Sequence, residues 1–157
     1  MSEQSLADYA DKLNEIHRGT FVEHIGLTIV EATRERVVGE LSLQPQHTQP
    51  YGLAHGGLYC AIAETLCSSG AALFAADNDQ STVGLENTTS FLRATRAGGR
   101  LRGVAKRLAG GRRTQVWECQ VIDDDDRVIA SGRVRLLNID KGSSVRGQTL
   151  DEKRPGP

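Results

Sequence analysis

Gln49-Pro-Tyr-Gly-Leu-Ala-His-Gly-Gly-Leu-Tyr-Cys-Ala-Ile-Ala-Glu-Thr-Leu-Cys-Ser68 reads as a tight turn that runs straight into a helix. The turn carries His55, Gly56 and Gly57, and the helix is expected over residues 56–75, stopped by the polar stretch Asp77-Asn-Asp-Gln80. Leu58, Ile62, Leu66 and Leu73, with Ala61, Ala72 and Ala76, make that helix apolar nearly all round, and a helix of that kind is wrapped by other structure. One carboxylate, Glu64, sits inside the apolar run. Burying it without a partner is costly, so it calls for a reason.

The flanking sequence supplies the wrapping. Residues 27–33 and 37–43 are rich in β-formers and are joined by the charged link Arg34-Glu-Arg36, which predicts a hairpin. Beyond the helix, residues 82–92, 101–108, 114–122 and 128–137 form four more β-rich runs with turn signals between them, and these predict an antiparallel meander. Ahead of the hairpin, Leu6, Tyr9, Ala10, Leu13 and Ile16 recur at helical spacing and predict a helix over residues 4–17. A connector follows in which Phe21, Val22 and Ile25 are expected to tuck under the sheet. Residues 141–157 are polar, with glycine and proline, and read as a disordered tail. The fold class is therefore α+β: one domain over residues 1–140, a curved antiparallel sheet wrapped around one long central helix.

The chain has 157 residues, which suits one domain, and its aromatic share of 4% implies a modest core with some apolar surface buried between subunits. A formal net charge of −1 supplies no global attraction to nucleic acid or membrane. Cys60, Cys67 and Cys119 are odd in number and form no Cys-x-x-Cys pair, which argues against disulfides and zinc and fits a reducing cytoplasm. The N-terminus lacks a signal-peptide pattern, and no apolar run is expected to approach a membrane span.

A helix that opens with two glycines offers bare backbone N–H groups to an anion or a polarised carbonyl, while Glu64 offers a base or nucleophile. Together they suggest acyl chemistry. Ser68 lies one turn beyond Glu64 and can hold a water. His55 either caps the helix or holds a leaving group, and Gln49 in the adjacent loop can hydrogen-bond an oxygen. Gly56 and Glu64 are eight residues apart, hence about 12 Å along a helix, too far for one carbonyl to touch both. A two-fold dimer with paired helices would bring Gly56 of one chain near Glu64 of the other. Eight basic residues, Arg93, Arg96, Arg100, Arg102, Lys106, Arg107, Arg112 and Arg113, fall in a run without acids; alternate side chains of the strands face outward, so several are expected to line one rim and suit a phosphate-bearing ligand. Few aromatics accompany them, which disfavours nucleic acid. The four acids at 123–126 lack the spacing of a calcium loop and read as a solvated turn.

The stretch from Gly52 to Leu66 resembles the signature of the hotdog-fold acyl-CoA thioesterases, and Val83-Gly-Leu-Glu-Asn-Thr-Thr-Ser-Phe-Leu-Arg93 and Thr114-Gln-Val-Trp-Glu resemble the same branch. That branch holds the phenylacetate-pathway, Arthrobacter-type 4-hydroxybenzoyl-CoA and 1,4-dihydroxy-2-naphthoyl-CoA thioesterases. The resemblance implies Glu64 as nucleophile or general base, Gly56 N–H polarising the thioester carbonyl, Gln49 helping to hold it, His55 beside it and Ser68 assisting water. It also implies Arg93, Arg112 and Arg113 against the coenzyme A nucleotide, an aryl- or medium-chain acyl-CoA substrate, no metal or cofactor, and a homotetrameric dimer of dimers. The alternative is a non-catalytic acyl-CoA-binding hotdog protein with a regulatory role. A hotdog hydratase would need an Asp and His pair that this helix lacks.

Overall fold

The computed structural model describes residues 3–145 and 147–149. In chain order it runs α1 (Glu3–Ile16), α2 (Phe21–His24), β1 (Thr28–Ala32), β2 (Arg36–Ser42), a 3-10 turn (Pro45–His47), α3 (Gly56–Ala76), β3 (Gln80–Phe91), β4 (Arg100–Gly110), β5 (Thr114–Ile122), β6 (Val128–Asp140), β7 (Ser144–Val145) and β8 (Gln148–Thr149). Strands β1 to β6 form one antiparallel sheet in the order β1-β2-β4-β5-β6-β3, and α3 packs on one face of it.

Helix α3 lies close to the sheet because small residues clear its path. A Cβ on Gly103 would stand 2.5 Å from Leu66 Cδ1, and one on Gly70 would stand 2.3 Å from the Trp117 ring. Ile62, Leu66, Cys67 and Ala71 are fully buried between helix and sheet, with Trp117, Ala105 and Leu136 from the strands. By length and composition α3 could cross a membrane, which corrects the expectation that no apolar run approaches a span; in this fold it is the core helix. Helix α1 docks on β1 through one side chain. The Asn14 amide donates to Ile29 O at 2.8 Å and accepts from Ile29 N at 2.9 Å.

Two expectations need correcting. The C-terminal strands are not a simple meander: β4, β5 and β6 are, but β3 pairs with β6 at the far edge, and β4 pairs with β2. Residues 92–99 therefore cross from the β3 edge past β6 and β5 to the interior strand β4. They are pinned on the way by the Ala54 N–H, which donates to Thr95 O at 2.7 Å, and by a bridge between Leu53 and Arg96. In the connector, Val22 and Ile25 are buried but Phe21 is 63% exposed, because the one turn of α2 can present only one face inward. In the stretch read as a tail, β7 and β8 pair as a short hairpin; residues 146 and 150–157 lie outside the described ones.

Candidate functional site

Helix α3 starts at Gly56, with His55 in extended conformation as its cap. The His55 Nδ1 accepts from Gly57 N at 2.9 Å, and His55 N donates to His47 O. The capping role of His55 is thus occupied. The Gly56 N–H, by contrast, has no acceptor among the described residues, as expected for the first turn of a helix. It opens into a cleft of about 370 Å³ lined by Gln49, Leu53, Tyr59, Phe91 and Arg93 among others. Phe91 lies directly over Gly56: a Cβ there would be 2.5 Å from the ring. The Tyr59 ring meets Phe91 with centroids 5.9 Å apart. Gln49 Oε1 accepts from Tyr51 N at 2.5 Å, which leaves its amide NH₂ without a partner among the described residues.

Glu64 does not line this cleft. It stands two turns further along α3, half-buried against the middle of β3. Asn87 Nδ2 donates to Glu64 Oε2 at 2.9 Å and to Cys60 O at 3.1 Å, and Ser68 Oγ donates to Glu64 Oε1 at 3.3 Å. Gly84 faces Oε1, and a Cβ there would come within 2.7 Å of it. Between Gly84 and Glu86 the β3–β6 register shifts, so the strand bulges where it passes the carboxylate. The neighbouring Cys119 thiol and burial push the Cys67 thiol well above its ordinary value; both are buried inert groups.

Within one chain the structure brings Gln49, His55, Gly56 and Arg93 to one end of β3, sets Glu64 and Ser68 at its middle, and puts Arg112 and Arg113 at its other end. Arg93 N donates to Ile129 O and Asn138 N donates to Arg113 O, so the two basic groups are nine residues of β6 apart, about 30 Å. The basic block does not form one rim. Arg107 stacks on Phe74 with its guanidinium 4.0 Å from the ring centre and pairs with Glu35, and Arg100 and Arg102 face Glu40. Among the acids at 123–126, Asp123 closes the turn onto Arg127, which holds its carboxyl below the usual range. The group that sequence reasoning missed is Asn87. Its signal was an Asn in the interior of a strand of β-formers, a residue type that strands avoid.

The sequence profile described as the thioesterase superfamily matches residues 51–130. The proofreading thioesterase EntH of Cronobacter sakazakii is 35% identical over 79% of this chain and 89% of its own length. The 1,4-dihydroxy-2-naphthoyl-CoA hydrolase of Escherichia coli K12 is 34% identical over 79% of this chain and 90% of its own. Among solved structures, a thioesterase from Haemophilus influenzae superposes with a TM-score of 0.78 at 26% identity, over 83% of this chain and 90% of that one. The PaaI protein of the Escherichia coli phenylacetic acid degradation operon, at 19% identity, has a TM-score of 0.75 over 85% of this chain and 96% of its own. The sheet wrapped on one helix is the hotdog fold that the sequence resemblance implied.

Proposed function

The chain belongs to the thioesterase superfamily and is an enzyme of thioester hydrolysis, and from that membership and the geometry above we propose that it hydrolyses an aryl- or medium-chain acyl-CoA to the free acid and coenzyme A. One observation carries the reading: the free Gly56 N–H opens a cleft at one end of β3, while the Glu64 carboxylate is held at the strand's middle. Neither half is a complete site. Strand β3 is also the edge of the sheet, its outer side is unpaired among the described residues, and Leu85 and Phe91 on it are half exposed or more. A long edge strand of this kind is a template for pairing. A second copy pairing antiparallel about a two-fold axis sets the Phe91 end of one β3 beside the Gln80 end of the other. It then joins Gly56, Gln49 and Arg93 of one chain to Glu64, Arg112 and Arg113 of its twin, giving two equivalent sites per dimer.

In that site the Gly56 N–H and the Gln49 amide hold the thioester oxygen and stabilise the negative charge it gains. Glu64 acts as general base on water, placed with the help of Ser68, or as the nucleophile itself. In the base route the water oxygen bonds to the carbonyl carbon while Glu64 takes its proton. The C–S bond then breaks and that proton leaves with the thiol. His55, fixed as cap, lies beside the thioester, and the arginines meet the phosphates of coenzyme A. Two such dimers form the tetramer, and the three free thiols suit a reducing cytoplasm.

The test is thiol release from benzoyl-, naphthoyl- and straight-chain CoA esters. Glu64→Ala should lower the rate on the order of 10²–10⁴-fold with the fold retained. Gly56→Val should also be inactive, and mixing the two unfolded variants and refolding them should restore about a quarter of the activity, since half of the dimers then hold one intact site. Normal turnover by Glu64→Ala, or no complementation, defeats the shared-site reading.

A further inference from the structure

We propose that Asn87 is the positioning residue of this site, anchoring Glu64 by Oε2 so that Oε1 is the oxygen presented to the reaction. The inference rests on the thioesterase reading of Glu64. The two carboxylate oxygens have different surroundings. Oε2 receives the short bond from Asn87 at 2.9 Å, whereas Oε1 receives only the longer one from Ser68 at 3.3 Å. Oε1 also faces Gly84, the position where any side chain would collide with it. The bulge between Gly84 and Glu86 shapes β3 at that point. The strand thus grips one oxygen and leaves room at the other.

The grip has a defined direction. The second Asn87 N–H goes to Cys60 O at 3.1 Å, one helical turn before Glu64, and Thr89 Oγ1 donates to Asn87 Oδ1 at 2.7 Å. Turning the amide over would aim its carbonyl oxygen at a carboxylate and a backbone carbonyl, both acceptors. Thr89 and Cys60 therefore fix which end of Asn87 meets Glu64. The terminal torsion of a Glu side chain is soft, so a carboxylate without such an anchor samples a broad range of orientations. Misplacing a catalytic group by about 1 Å costs on the order of 10²-fold in rate.

Thiol release by the full chain, with kcat and KM measured separately and a cycle against Glu64→Gln, tests the assignment. Asn87→Ala should lower kcat about 10- to 100-fold with KM within about twofold. Added to Glu64→Gln it should lower the residual rate no further, because its effect runs through Glu64. Asn87→Asp keeps the shape but removes the donor and should fall at least as far. Thr89→Val, which frees the amide to turn, should fall less. These two carry the test if Asn87→Ala does not fold. Retention of kcat in all three, a loss confined to KM, or an equal loss in the Glu64→Gln background overturns the assignment. If wild type and Glu64→Gln release thiol equally, the thioesterase role of Glu64 fails first, and this inference with it.

Discussion

Two polar clusters packed against helix α3 are built differently. Near its C-terminal half, Gln115 is fully buried and spends its amide completely: Nε2 donates to Ala71 O at 3.0 Å and to Asn138 Oδ1 at 2.8 Å, and Oε1 accepts from Trp117 Nε1 at 2.9 Å. Asn138 Nδ2 continues the chain to Gly111 O at 2.9 Å. This cluster is neutral and closed by protein hydrogen bonds. Around Glu64 the cluster holds an acid, is only partly buried, and bonds one oxygen more tightly than the other. A closed neutral network repays its burial through hydrogen bonds alone. A partly buried acid with one oxygen loosely held gives little to the fold, and the proposed thioester chemistry would account for its place in an apolar helix.

The comparison makes predictions that can break it, beginning with the largest effect. Glu64→Gln should remove nearly all turnover yet leave the midpoint of thermal unfolding unchanged or higher, measured by calorimetry on the same preparation. A variant that is both inactive and strongly destabilised would make Glu64 a structural group like Gln115. Gln115→Leu should do the converse. It leaves the Trp117 N–H, Ala71 O and Asn138 Oδ1 without their partner and should cost about 2–3 kcal/mol in denaturant unfolding, with kcat of the folded fraction near normal. The smallest effect belongs to the exposed end of the same helix, where Asp77 takes both oxygens to Arg34 and its carboxyl lies below the ordinary 3.8. A lowered folded value contributes stability above the unfolded one, and that is lost as pH falls through the folded value. Asp77→Asn should therefore melt slightly below wild type at neutral pH, and the two melting curves should converge below about pH 3.8.

Much of this was legible in residue types. The apolar run broken by a single acid located α3 and Glu64, because a helix buried on most sides leaves a strong periodic pattern. The two glycines at its start marked Gly56, and the rise per residue already set Gly56 and Glu64 too far apart for one carbonyl to touch both. The order of the strands was not legible. Residues 82–92 and 101–108 look like neighbours because they are consecutive, and the pairing of β3 with β6 and of β4 with β2 reveals the crossing. Asn87 was hidden for a related reason. Its partners lie 23 and 27 residues away, on another element, and no local pattern encodes the facing of a strand that has not yet been placed. The arginines misled in the opposite sense. Their nearness in sequence suggested one rim, while hairpin geometry sends Arg93 and Arg112 to opposite ends of β6.

The crossing also sets a timetable for synthesis. Gln80 and Asp140, paired in the finished sheet, are 60 residues apart. At about 5–20 residues per second on the ribosome, β3 emerges some seconds before the strand it pairs with. In that interval α3 has β1 and β2 for company but not its full cover, and the stretch holding Asn87 has no neighbour to fix its facing. A nascent chain slowed between β3 and β6 carries its most apolar helix half dressed.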